Sequence, residues 1–144
     1  RAFLPAVDGL YVLQEMSSHL HITKHDIAMA KKACARSKDP LHEHDDCIRI
    51  AYEWLDAQIP IKNSRSKLVP LKHIIESWAG RYVSQSDVEV AVHLHPYFKG
   101  VYPRYNFSTK MVEPNIKRLE HIAEAFTQKN YRENHDPSLY HSKE

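Results

Sequence analysis

The sequence predicts a mainly helical α+β fold with one small β-hairpin. Three observations predict it. Apolar residues recur at three- and four-residue intervals along most of the 144-residue chain, the spacing that lines one face of a helix. Thr23 with Asp26, and Ser84 with Asp87, stand three residues apart as starts in which hydroxyl and carboxylate can satisfy free first-turn amides. One stretch, 97–108, interrupts the helical pattern with aromatic and β-favouring residues around Gly100 and Pro103. With 42% hydrophobic and 26% charged residues the chain can bury a core and is too apolar for a disordered segment.

The elements follow in order. Leu10, Leu13, Met16 and Leu20 predict a first helix over 8–20. The Thr23 start opens a second helix running to about Arg36, and Ser37 to Pro40 breaks it, because proline disfavours helical geometry in the residue before it. A third helix is expected over about 42–58, with Asp45 and Asp46 near its positive end and Cys47 or Ile48, Ala51, Trp54 and Leu55 facing the core. Ile59 to Ile61 reads as a short extended piece, and 62–67, which has no apolar residue, as a solvated loop.

Pro70 opens a fourth helix striped by Leu71, Ile74, Ile75 and Trp78 and stopped by Gly80. Four residues later Ser84 starts a fifth, with Val88, Ala91 and Val92 inward, ended by Pro96. Tyr97 to Ser108 is the hairpin. Ile116, Leu119, Ile122, Ala123 and Phe126 then predict an amphipathic helix over 115–129, and the polar tail 130–144 is expected to fray. This gives one domain over 1–129: N-terminal helices in 1–41, a core in 42–108 and a C-terminal helix in 109–129.

Charge is distributed unevenly. The net +2 conceals a segment, 62–118, with 10 Lys and Arg against 4 acids, a local charge of +6 that suits phosphate contacts. No apolar run approaches the roughly 20 residues of a membrane span, so no membrane partner is expected. No export segment is read. Cys34 and Cys47 lie on expected helices and read as buried thiols, which fits a reducing cytoplasm.

In chain order, the second half runs helix, short extended piece, helix, four-residue turn, capped helix, hairpin. That is the order of a winged helix-turn-helix with additional flanking helices and a small β-hairpin wing. In that arrangement one helix crosses the DNA backbone, the next enters the major groove and the wing touches neighbouring phosphates or a minor groove. The expected DNA-contacting residues are Lys62, Arg65, Lys67 and Arg81 from the basic segment; Ser84, Gln85, Ser86, Glu89 and His93 from the recognition helix; and Lys99 and Arg104 from the wing. Gln85 can pair with adenine through both amide groups, while Glu89 could accept from cytosine but otherwise repels phosphate. Phe98 and Phe107 are read as packing residues.

Other chemistry is weighed against this reading. His42 to Cys47 is the densest set of metal-ligand types, but no H-E-x-x-H or C-x-x-C occurs, so no metal or other cofactor is expected. Asp45, Asp46, Glu53 and Asp56 read as a solvated acidic face rather than a magnesium site. With only three glycines, neither the phosphate-cradling G-x-x-x-x-G-K-S/T loop nor the G-x-G-x-x-G turn is present, and no catalytic residue is assigned. A metal-dependent enzyme remains the third class. The competing non-enzymatic class is a protein-interaction domain using the aromatic hairpin.

Three stretches carry a resemblance: Asp46 to Asp56 (Asp-Cys-Ile-Arg-Ile-Ala-Tyr-Glu-Trp-Leu-Asp), Gly80 to Ser84 (Gly-Arg-Tyr-Val-Ser) and Tyr102 to Asn106 (Tyr-Pro-Arg-Tyr-Asn). Over 42–108 the chain resembles the winged-helix origin-binding domains at the N-terminus of phage-satellite replication initiators, and the phage nucleases that share such a domain. The resemblance implies double-stranded DNA, specifically a replication origin, as the partner. It also implies a separate catalytic or helicase domain elsewhere in a longer protein. It assigns no site residue, and a homodimer stays open.

Overall fold

A computed structural model describes residues 22–34, 36–37, 40–64 and 68–144. The helix expected over 8–20, together with Arg65 and Lys67, lies outside the described residues. Five α-helices, two short two-stranded sheets and two 3₁₀ turns are described, a mainly helical α+β arrangement.

Helix α1, Lys24–Ala33, begins as the sequence requires: the Asp26 amide donates to the Thr23 hydroxyl at 3.0 Å, and the Thr23 amide to the Asp26 carboxylate at 2.9 Å. Helix α2, Asp45–Asp56, starts three residues later than expected, because the His44 ring caps it by accepting from the Asp46 amide at 2.9 Å. It is the central helix. Cys47, Ile48, Ala51, Trp54 and Leu55 are buried as expected, and so are Ile50 and Tyr52 on other sides. Helix α3, Leu71–Ala79, follows Pro70 and ends at Gly80, whose φ of 59° is the left-handed conformation that glycine adopts without a Cβ penalty. Helix α4, Gln85–Leu94, has the full capping box of Ser84 and Asp87 and packs chiefly against α2, with α1 on a second side.

Strands β1, Gly100–Val101, and β2, Arg104–Tyr105, form the antiparallel hairpin. The extended piece 59–61 runs beside it: the Ile61 amide donates to the Asn106 carbonyl at 2.9 Å, and the Ser108 amide to the Ile59 carbonyl at 2.8 Å. Phe107 is fully buried, with its ring edge-to-face on Trp54 at 5.6 Å, and Phe98 is buried too, so both aromatics pack as expected.

The C-terminal third departs from expectation. Instead of a helix over 115–129 there is a 3₁₀ turn, Ile116–Leu119, then a run of turns, and a short helix α5, Lys129–Arg132. The apolar stripe does not face one surface: Leu119 and Ile122 are buried, while Ile116 and Phe126 are exposed. The chain is also engaged by the end of α3, where the Phe126 amide donates to the Ala79 carbonyl at 2.7 Å and the Gln128 amide to the Gly80 carbonyl at 2.9 Å. These bonds satisfy carbonyls a helix terminus leaves free, and a continuous helix could not supply them.

The tail expected to fray is tied down. Strand β4, Ser142–Lys143, pairs in parallel with β3, Val112–Glu113. The Trp54 indole N–H donates to the Tyr140 hydroxyl at 3.0 Å. Arg118 joins tail to core: its guanidinium donates to Glu144 at 2.7 Å, to Asp56 at 2.9 Å and to Glu53 at 3.0 Å.

The acidic face expected on α2 is therefore corrected, since Glu53 is only 3% exposed and Asp46 is buried against Arg49 at 2.7 Å. Three carboxylates share the single Arg118 cation, and burial pushes the Glu53 carboxyl up to about 7, against the pull of Arg118. Among the described residues no helix is long and apolar enough to cross a membrane.

Candidate nucleic-acid interface

Helix α4 is wrapped on most sides. Ser86, Asp87, Val88, Val90, Ala91 and Val92 are all buried. What remains toward solvent is a stripe one turn apart, half-buried Gln85 and Glu89 and exposed His93, which the four-residue spacing places on one face. Glu89 is already engaged, accepting from the Ser37 amide at 2.8 Å.

Three residues expected at the interface have internal duties instead. The Ser84 hydroxyl accepts from the Asp87 amide at 3.0 Å and donates to the Leu41 carbonyl at 2.6 Å, leaving it buried. Ser86 is 2% exposed, because its position on α4 faces the bundle. Arg81 is buried between Glu43 at 2.8 Å and Glu124 at 2.9 Å, pinning the turn before α4 to the segment after the 3₁₀ turn. A cation held this way has no free face for phosphate.

The hairpin keeps its cations available. Lys99 and Arg104 are exposed, as are Lys62 on the flanking piece and Lys110 beyond β2. None of the four makes an ion pair among the described residues. No acid occurs between Glu89 and Glu113, so the hairpin itself carries no carboxylate to compete for a phosphate. The hairpin tip is apolar, with Val101 81% exposed.

Asn106 organises this surface and was missed by sequence reading. Its Oδ1 accepts from the Lys99 amide at 2.7 Å, and its Nδ2 donates to the Tyr97 carbonyl at 3.1 Å and the Ile61 carbonyl at 3.2 Å. One buried amide thus sets the base of β1, the turn after α4 and the piece bearing Lys62. The available signal was a lone amide between two core aromatics, Tyr105 and Phe107, where only a satisfied polar group is tolerated. Gly100 was read as a turn former, and its role is narrower: a Cβ there would lie 2.5 Å from the Arg104 carbonyl oxygen across the hairpin. The Ser64 hydroxyl would be 3.3 Å from the same Cβ, so Ser64 abuts β1.

His42 and His95 are structurally committed. His42 bridges Asp45 and Asp87, each at 2.8 Å, and the buried His95 bonds Asp56 at 2.8 Å. Among the described residues no three His, Cys, Asp or Glu side chains gather where they could hold a metal ion. Burial pushes the Cys47 thiol up to about 12, and that of Cys34 upward from its ordinary value, which keeps both protonated at neutral pH.

No protein family, curated protein or solved structure matches the chain.

Proposed function

We propose that this protein is a non-catalytic, sequence-specific double-stranded DNA-binding module built as a winged helix-turn-helix. In this reading α3 and α4 are the helix-turn-helix, and the β1–β2 hairpin is the wing. A replication origin is the target favoured by the resemblance over 42–108. The observation that carries the reading is the set of four exposed cations, Lys62, Lys99, Arg104 and Lys110, that make no ion pair among the described residues and lie on the hairpin or the segments flanking it in sequence. The burial of Arg81, Ser84 and Ser86 narrows it: backbone contact is carried by the hairpin, and base contact by Gln85, Glu89 and His93.

Four phosphate contacts imply a slope of about −3.6 in log affinity against log salt, so a fourfold rise in salt weakens binding on the order of 100-fold. Anisotropy of labelled duplexes at two ionic strengths tests this. The double substitution Lys99→Ala/Arg104→Ala is expected to weaken every duplex and flatten the slope by about 2. Gln85→Ala is expected to relax discrimination at one base pair only. Absence of salt-dependent binding to any duplex, including a selected random pool, refutes the reading. It would favour a protein-interaction domain, for which the exposed apolar tip at Val101 is the supporting feature.

A further inference from the structure

Three segments distant in sequence close around one cavity of about 470 Å³: the chain after α1 with Arg36, the outward stripe of α4 with Glu89 and His93, and the hairpin with Lys99, Tyr102 and Tyr105. That volume lies within the range of small-molecule sites, about 300–1,000 Å³. The walls bring cations, a carboxylate and aromatic rings together. Arg36 and Lys99 stand on separate walls as cations with no ion pair among the described residues. Tyr102 offers an aromatic face that is fixed at both ends, because its hydroxyl accepts from the Lys72 amide at 3.2 Å and its ring meets Tyr105 edge-on at 6.2 Å.

Glu89 is the unusual member. A carboxylate beside a phosphate-binding surface costs affinity unless it recognises something. Here it is held in place by the Ser37 amide on Oε1, and Oε2 makes no hydrogen bond among the described residues. A fixed carboxylate with a free oxygen is an acceptor for an amino group, and the arrangement as a whole pairs that acceptor with two cations and an aromatic face.

We infer that this cavity binds a single unpaired nucleotide bearing an exocyclic amine, cytosine above all, with the phosphate on Arg36 and Lys99, the base against Tyr102 and the base amino group on Glu89. The inference rests on the nucleic-acid reading above and extends it from the duplex surface to an extruded or single-stranded base. It accounts for Glu89, the one acidic residue of the stripe: the carboxylate selects for an amine and against the carbonyl that thymine presents at the same edge.

The test titrates the full chain, observed by amide chemical-shift changes, with dCMP, dTMP and inorganic phosphate. The expected order is dCMP tightest, dTMP about tenfold weaker, and phosphate alone weakest, with shifts clustered at Cys34, Arg36 and Ser37, at 89–93 and at 98–105. Glu89→Gln, which still accepts from Ser37, is expected to erase the preference of dCMP over dTMP, while Arg36→Ala weakens both nucleotides alike. Equal binding of dCMP and phosphate, or a dCMP preference that survives Glu89→Gln, overturns the inference. Duplex binding that persists while no mononucleotide binds removes this site and leaves the duplex reading standing. Mononucleotide selectivity without binding to any duplex does the reverse.

Discussion

Replacing Tyr140 by phenylalanine tests whether the C-terminal tail is part of the folded unit. The tyrosine hydroxyl accepts from the indole N–H of Trp54, a side chain with no solvent exposure in the last turn of α2. Removing the oxygen keeps the ring and leaves a buried donor without a partner, which costs about 1–3 kcal/mol. Tyr140 itself is only half-buried, so water can enter the vacated space, and the lower half of that range applies, about 1.5 kcal/mol. For a chain of 144 residues this lowers the melting temperature by roughly 3–6 °C.

Urea unfolding followed by tryptophan fluorescence measures it, with an unchanged m-value showing that the folded state keeps its extent. A double-mutant cycle with Trp54→Phe isolates the bond: in that background Tyr140→Phe is expected to cost under about 0.5 kcal/mol. A single substitution within about 0.3 kcal/mol of the parent, or an equal cost in both backgrounds, refutes the argument. The first result would return the tail to the frayed segment that its composition suggests, and the second would assign the cost of Tyr140→Phe to contacts other than the Trp54 bond.

Three further outcomes follow from the packing. Gly100→Ala forces a side chain at φ 130° into the Arg104 carbonyl, so it is expected to cost about 1–3 kcal/mol and to weaken duplex binding with the hairpin displaced; a variant as stable as the parent would mean the hairpin can shift freely. The Glu53 carboxyl is raised by burial from 4.5 to about 7, so the folded state holds its proton more tightly than the unfolded chain. Its contribution to stability is full below about pH 4.5 and is lost as pH rises through 7, by on the order of 3 kcal/mol. Stability of Glu53→Gln, measured from pH 4.5 to 8, should lack that decline, and parallel curves for the two proteins would disprove it. Finally, Cys34 is expected to react with a disulfide reagent at pH 8 more slowly than free cysteine, and Cys47 only on unfolding; two rapidly reacting thiols in the native protein would contradict their burial.

Much of the fold was legible because its causes are local. Both capping boxes and the glycine stop of α3 are set within four residues of chain, and the apolar stripe of α2 within three turns. Each appears where the sequence places it. Of the candidate site, the hairpin cations were equally legible, since a charged residue in an aromatic hairpin has few places to go but outward. Arg81, Ser84 and Ser86 were not. A sequence shows that such groups can bond phosphate or base, but not whether Glu43, Glu124, Leu41 or the bundle interior reaches them first.

The same division runs through the molecule. The sequence by itself determined the four helices over 23–94 with the two capping boxes and the glycine stop, the hairpin, the basic character of 62–118 and the inward aromatics, because periodicity, capping and turn chemistry act between near neighbours. Only the tertiary structure decided that 115–129 would fold as turns, that the tail would pair with β3, and that Glu53 would be buried beside Arg118. It also decided that Arg36, Glu89 and Lys99 would line one cavity. Those outcomes depend on which surfaces meet across about 30 to 65 residues of chain, and a helical stripe or a polar tail has the same local preferences whichever partner it finds.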